Sequence, residues 1–203
     1  MGALLTVFGV FIPALLLPGP DFVGVVRSAL TRGTAAGLRT ALGVSVGLVM
    51  FATLSLLGLS AVLAEYQWLT WFIRVLGGAY LIYLGVMLVR APPRAAEEGA
   101  ETAVKGGAFV FGLSVTLTNP KAVVLFASVF ATAVTPETPG WWMALAIALV
   151  FASALSWYSL VACFMASDVV ARRFRNARRT IERVAGVCFV AIGCRLIADA
   201  RTT

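Results

Sequence analysis

The sequence predicts an all-α integral membrane protein with six transmembrane helices in two inverted three-helix repeats, the first and fourth helices broken at proline. Three observations carry this. Apolar residues make up 61% of the 203 positions, charged residues 12%, and mean hydropathy is +0.96, a composition suited to lipid rather than water. Six apolar runs are long enough to cross a hydrocarbon core of roughly 30 Å. The segments Leu17-Pro18-Gly19-Pro20-Asp21 and Thr118-Asn119-Pro120-Lys121 interrupt two of these runs at matching places. A helix-breaking proline and a charge are both costly at membrane depth, so their repetition points to a solute-binding site.

The runs lie at about 3–26, 40–64, 68–89, 107–134, 141–166 and 182–198. Lipid offers no partner for unpaired backbone groups and the runs lack strict alternation, so they are predicted helices rather than barrel strands. The first run has no basic stretch before it and continues into a proline-charge motif instead of a cleavage site, so it is expected to stay in the mature chain. In the second, Gly43-x-x-x-Gly47 suits close helix packing, as do Gly77 and Gly78 in the third. Trp68 and Trp71, and Trp141 and Trp142, flank the even connections and are predicted interfacial anchors. The connections hold three, no, three, no and six Lys or Arg residues in order. This pattern puts the odd connections in the cytoplasm and both termini outside. Arg74 and Arg195, each near a span end, are expected to snorkel outward.

The chain is predicted to be one membrane domain, 1–203, with a first repeat at 1–91, a Pro- and Glu-rich cytoplasmic linker at 92–106 and a second repeat at 107–203. Three spans per half make similar halves enter the membrane in opposite senses. Pro20-Asp21 matches Pro120-Lys121 at a shift of 100, and Gly78 and Gly85 match Gly186 and Gly193 at a shift of 108.

Proline fits the first position of a helix, Asn119 makes a good N-cap for Pro120, and Gly19 supplies freedom for a break before Pro20. Half-helices are therefore predicted to start at Pro20 and Pro120. Each start exposes amide N–H groups and a positive dipole end, which suits a carboxylate. With Lys121 beside one start and Asp21 beside the other, the constellation fits a zwitterion, and an amino acid is one. The candidate substrate-binding residues are Pro18, Gly19, Pro20, Asp21, Asn119, Pro120 and Lys121. A structural ion pair between Asp21 and Lys121 is the alternative, although stability alone is a poor reason to bury one. Asp21 lies six residues before Arg27, so a place in an inner vestibule instead of the midplane stays open.

Other classes lack their chemistry. The basic residues, net +7, fall between apolar spans and not on one face, which argues against a nucleic-acid surface. Histidine is absent and Cys163, Cys188 and Cys194 form no C-x-x-C pair, so no metal site, cofactor or dithiol is expected. Nothing assigns a nucleophile or a catalytic acid-base pair, and an enzyme is not expected.

The two proline-charge motifs, the glycines Gly33, Gly37, Gly43 and Gly47, and the stretch Gly78-Ala79-Tyr80-Leu81-Ile82-Tyr83-Leu84-Gly85 resemble the LysE/RhtB amino-acid exporters over essentially the whole chain. The resemblance implies export of amino acids or close derivatives from the bacterial cytoplasm across the inner membrane, driven by the proton-motive force. Asp21 is then the expected proton-coupling residue. The expected partners are an amino-acid substrate, protons and the bilayer; oligomeric state is left open. A cation or metal exporter and a membrane thiol-redox protein are the competing classes.

The charge pattern has a direct check. With Thr138→Cys and Asn176→Cys introduced singly into a cysteine-free background, an impermeant thiol reagent applied to intact cells is expected to label position 138 and spare 176. The opposite result reverses the topology.

Overall fold

The computed structural model describes residues 2–65, 67–90, 107–133, 138–164 and 168–200. Eight helices and no strand occur among them: α1 (Gly2–Leu16), α2 (Pro20–Arg32), α3 (Thr34–Glu65), α4 (Gln67–Arg90), α5 (Ala108–Leu117), α6 (Pro120–Ala133), α7 (Gly140–Phe164) and α8 (Asp168–Ala200). The linker expected at 92–106 lies outside the described residues.

Both expected breaks are present. Segments Val7–Leu16 and Pro20–Arg32 meet at 42°, and Ala108–Leu117 and Lys121–Ala127 at 64°. Gly19 is extended (φ −121°, ψ −169°) and Pro20 opens α2, where its missing N–H costs nothing. Gly33, at φ +83° and ψ 165°, turns α2 into α3 through a backbone region that only glycine enters without strain.

The described residues do not confirm all six expected spans. Among the described residues, Thr34–Gly58 of α3 and Gly140–Phe164 of α7 are each long and apolar enough to cross a membrane, and the two bent pairs bring the number to four. α4 contributes the shorter apolar stretch Val75–Met87. One connection is not a loop: the arginine-rich stretch 167–183, the fifth of the connections counted in the sequence, is helical from Asp168 onward and continuous with the last apolar run. No glycine or proline interrupts 168–185, and arginine is a good helix former.

Packing relies on small residues. α3 lies so close to α5 that a Cβ on Gly43 would overlap the Phe109 carbonyl oxygen, and one on Gly112 the Thr40 carbonyl oxygen. Buried Thr40 reinforces this seam, its hydroxyl lying 2.8 Å from Ser28 Oγ on α2 and 3.1 Å from the Ala108 carbonyl oxygen. α4 and α8 cross with equal intimacy. A Cβ on Gly85 would lie 2.5 Å from Gly186 O, and one on Gly193 2.6 Å from Gly78 O. Adding 108 to the numbers of one half of this crossing turns each contact into the other. Phe11, Phe126 and Phe130, with ring centroids 5.7 and 5.8 Å apart in succession, fill the core between α1 and α6. Of the expected tryptophan anchors, Trp71 and Trp141 are exposed, whereas Trp142 is buried, because it shares a face of α7 with Ala146, Val150 and Ala154. The side chains of Trp68 and Arg74 lie outside the described residues, and Arg195 is exposed.

Gly43→Ala is expected to lower thermal stability in detergent by ~1–3 kcal/mol, because backbone must move. Gly58→Ala, with nothing within 4 Å of the new Cβ, is expected to be neutral or to gain ~0.5–1 kcal/mol from helix propensity. Equal melting of the two variants would contradict the α3–α5 contact.

Candidate functional site

The two breaks face one another, and the residues around them close on a small cavity. Asp21, in the first turn of α2, is buried at 7% exposure. Thr116 Oγ1, at the end of α5, donates to its Oδ1 at 2.9 Å, and Asn119 Nδ2 donates to its Oδ2 at 3.2 Å. Both donors come from the other half of the chain. A buried carboxylate is tolerable only when hydrogen-bonded, and here both oxygens are.

Asn119 serves twice. Its Oδ1 accepts the Lys121 amide at 3.1 Å, an N-cap on the first turn of α6. Its carbonyl oxygen accepts from the amides of Ala122, at 3.1 Å, and Val123, at 3.5 Å. The exposed amides that the sequence predicts at this half-helix start are therefore taken up by Asn119, and Lys121 is left as the cationic group there.

Lys121 is placed by a proline. In α1 the carbonyl of Ala14 would ordinarily accept the N–H of residue 18, but Pro18 has none. That oxygen accepts from Lys121 Nζ instead, at 3.4 Å. Among the described residues Asp21 and Lys121 make no direct ion pair. The structural pair weighed as an alternative is thus not formed; each charge is held by neutral groups of the opposite half.

The cavity is about 30 Å³ and is lined by Gly19, Asp21, Asn119 and Lys121, by the apolar side chains of Phe11, Ala14, Leu15, Leu17, Leu48, Ala122 and Leu125, and by Tyr158. That volume holds about two waters. Of the seven candidate residues, four line it; Pro18 and Pro20 do not, and Pro20 is exposed. The prolines act by ending and starting helices. The Pro120 side chain lies outside the described residues. Sequence reasoning missed Thr116, Tyr158 and the apolar wall. Thr116 carried a signal, since it sits three residues before Asn119, one helical turn away. Tyr158 carried none beyond being a polar aromatic in an apolar run. No group of three or more His, Cys, Asp or Glu that could hold a metal occurs among the described residues. Cys163, Cys188 and Cys194 are free, and none lines the cavity.

Two opposed half-helix pairs around a buried charged site, in a chain of apolar helices, define a membrane transporter. Residues 12–200 match the LysE type translocator family. The chain belongs to that family, whose members are transporters and not enzymes. It is 33% identical over 201 residues to the threonine efflux protein of Escherichia coli, covering 95% of this chain and 96% of the relative. It is 32% identical over 200 residues to the threonine efflux protein of Salmonella typhi, with coverage of 95% and 96%. The leucine efflux protein of Salmonella choleraesuis is 32% identical over 127 residues, covering 62% of this chain and 60% of the relative. No solved structure matches the chain.

Asn119→Ala removes the α6 cap and one of the two bonds to Asp21, and is expected to cost about 1–3 kcal/mol. The reference is Thr118→Ala: Thr118 is exposed and bonds only to Ser114 O and Val115 O of its own helix, so its loss is expected to stay within about 0.5 kcal/mol. Thermal unfolding of both purified variants decides it.

Proposed function

We propose that this protein is a secondary active exporter that moves an amino acid or close derivative out of the bacterial cytoplasm across the inner membrane, against proton influx. The observation that carries it is the convergence of Asp21 and Lys121, from two half-helix starts in opposite halves, on one cavity. A zwitterion needs an anion and a cation spaced apart and not already neutralising each other, and the two side chains lack a direct pair. In this reading Asp21 takes the substrate ammonium, Lys121 its carboxylate, Gly19 leaves room for the approach, and Asn119 holds the two ends in register. Pro18, Pro20 and Pro120 keep the helices broken. The printed names of the relatives, threonine and leucine efflux proteins, support an amino acid as cargo.

Coupling follows from the same carboxylate. An acid that alternates between the company of Thr116 and Asn119 and contact with water can bind a proton on one side and release it on the other. The cavity is smaller than any amino acid, so α1, α6 and α7 must part for substrate to enter. The reciprocal α4–α8 glycine contacts support two inverted repeats, 1–91 and 107–203, within one domain spanning the membrane six times; six spans put both termini on one face, and the Lys and Arg distribution makes that face the outer one. Oligomeric assembly is not needed for any step.

Labelled amino acids accumulated from dipeptides are expected to leave cells faster when the gene is expressed. In inverted vesicles with an imposed pH gradient, Asp21→Asn is expected to lose gradient-driven uptake while still inserting and folding, and Lys121→Ala chiefly to weaken substrate binding. Retained accumulation by Asp21→Asn would remove Asp21 from coupling.

A further inference from the structure

The cavity's hydrogen-bonding capacity is not evenly spent. Four polar side chains line it: Asp21, Asn119, Lys121 and Tyr158. The first three are engaged, Asp21 by Thr116 and Asn119, Asn119 also by the Lys121 amide, and Lys121 by the Ala14 carbonyl. Among the described residues the hydroxyl of Tyr158 makes no hydrogen bond; the residue is only 4% exposed, but it lines the cavity, and the one side-chain polar atom fully sealed without a partner is Trp157 Nε1 instead. A buried tyrosine hydroxyl normally finds a partner. One that lines a cavity without one is set up to bond whatever fills the cavity.

Its placement is built into α7. The buried face of that helix reads Trp142, Ala146, Val150, Ala154, Tyr158 and Ala162 at intervals of four. Alanine one turn before and one turn after lets the backbone of α7 approach α3 closely, so the tyrosine ring, the large residue between them, reaches the cavity. Around it the remaining lining is aliphatic or aromatic, including Phe11, Leu48 and Leu125. If Asp21 and Lys121 take the ammonium and carboxylate of the cargo, the lining offers no further charge for a side chain. It offers an apolar wall and one hydroxyl.

We propose that Tyr158 is a specificity-determining residue: its uncommitted hydroxyl selects among cargo molecules by hydrogen-bonding an uncharged polar group on the cargo's side chain. This rests on the exporter reading above. A hydroxyl-bearing side chain satisfies the tyrosine, whereas an isosteric apolar one leaves a buried polar group unpaired, and that penalty is the source of discrimination.

Threonine and valine are the matched probes, equal in shape and differing by hydroxyl for methyl. Gradient-driven uptake of each labelled amino acid into inverted vesicles is measured for the parental protein and for Tyr158→Phe, with the amount of folded protein checked by size-exclusion chromatography in detergent. The parental protein is expected to favour threonine over valine by roughly 3- to 10-fold, the worth of one neutral hydrogen bond, and Tyr158→Phe to bring the ratio close to one. A parental ratio near one overturns the proposal without recourse to any variant, which keeps the test decisive should Tyr158→Phe fold poorly. A parental preference that survives intact in Tyr158→Phe also overturns it, as does an equal fall for both amino acids, which would mean that the hydroxyl serves the common backbone end. Those three results leave the exporter reading standing. Only the absence of uptake of every amino acid tried would remove that reading, and this proposal with it.

Discussion

The carboxylate of Asp21 is the constraint around which the rest is arranged. A charge surrounded by apolar helices needs hydrogen-bond donors, and its two donors lie 95 and 98 positions away in the sequence. The exchange is reciprocal, because the second half lends Thr116 and Asn119 to Asp21 and the first half lends the Ala14 carbonyl to Lys121. Neither half satisfies its own polar group. Removing one partner from such a network costs more than the net worth of the bond, so the same contacts that shape the site also hold the halves together. Breaking the helices is what makes this affordable: a proline withholds an amide, and the carbonyl it abandons becomes a ligand for the lysine.

Much of this was legible in the sequence, for identifiable reasons. Gly-Pro and Asn-Pro are local signals, and they located the starts of α2 and α6 at Pro20 and Pro120 because helix initiation depends on a few neighbouring residues. Glycine spacing likewise anticipated close packing at Gly43 and Gly47. What the sequence concealed depends on distance. Tyr158 reaches the cavity only because α7 packs on α3, and Trp142 is buried by the same packing although its position beside a connection suggested an interface. The stretch 167–183 reads as a connection because it lies between two apolar runs, but charge does not break helices, and no glycine or proline interrupts it.

The small-residue contacts are unevenly distributed. Backbone meets backbone along α3 and α5 and again along α4 and α8, whereas a Cβ on Gly9 in α1 would meet nothing within 4 Å. In the proposed repeat, α7 and α1 are the counterparts of α3 and α5, and they are only lightly packed against each other. Closure on the α3–α5 side with a looser partner seam opposite is the arrangement that an alternating mechanism requires of one of its two end states. In the proposed alternating cycle, glycine would suit a seam that parts and re-forms, since helices that meet at bare backbone have no side chains to interleave and can separate without repacking a core.

The 30 Å³ volume of the site bears on what the protein does when it has no cargo. A bacterial membrane stores energy as a proton gradient, and any buried acid that opened freely to both faces would drain it. Phe11, Leu15, Leu48 and Leu125 line the site around Asp21 and leave room for only about two waters. Under the proposed coupling, a site packed this tightly would limit proton leak until a cargo molecule large enough to wedge the helices apart arrives.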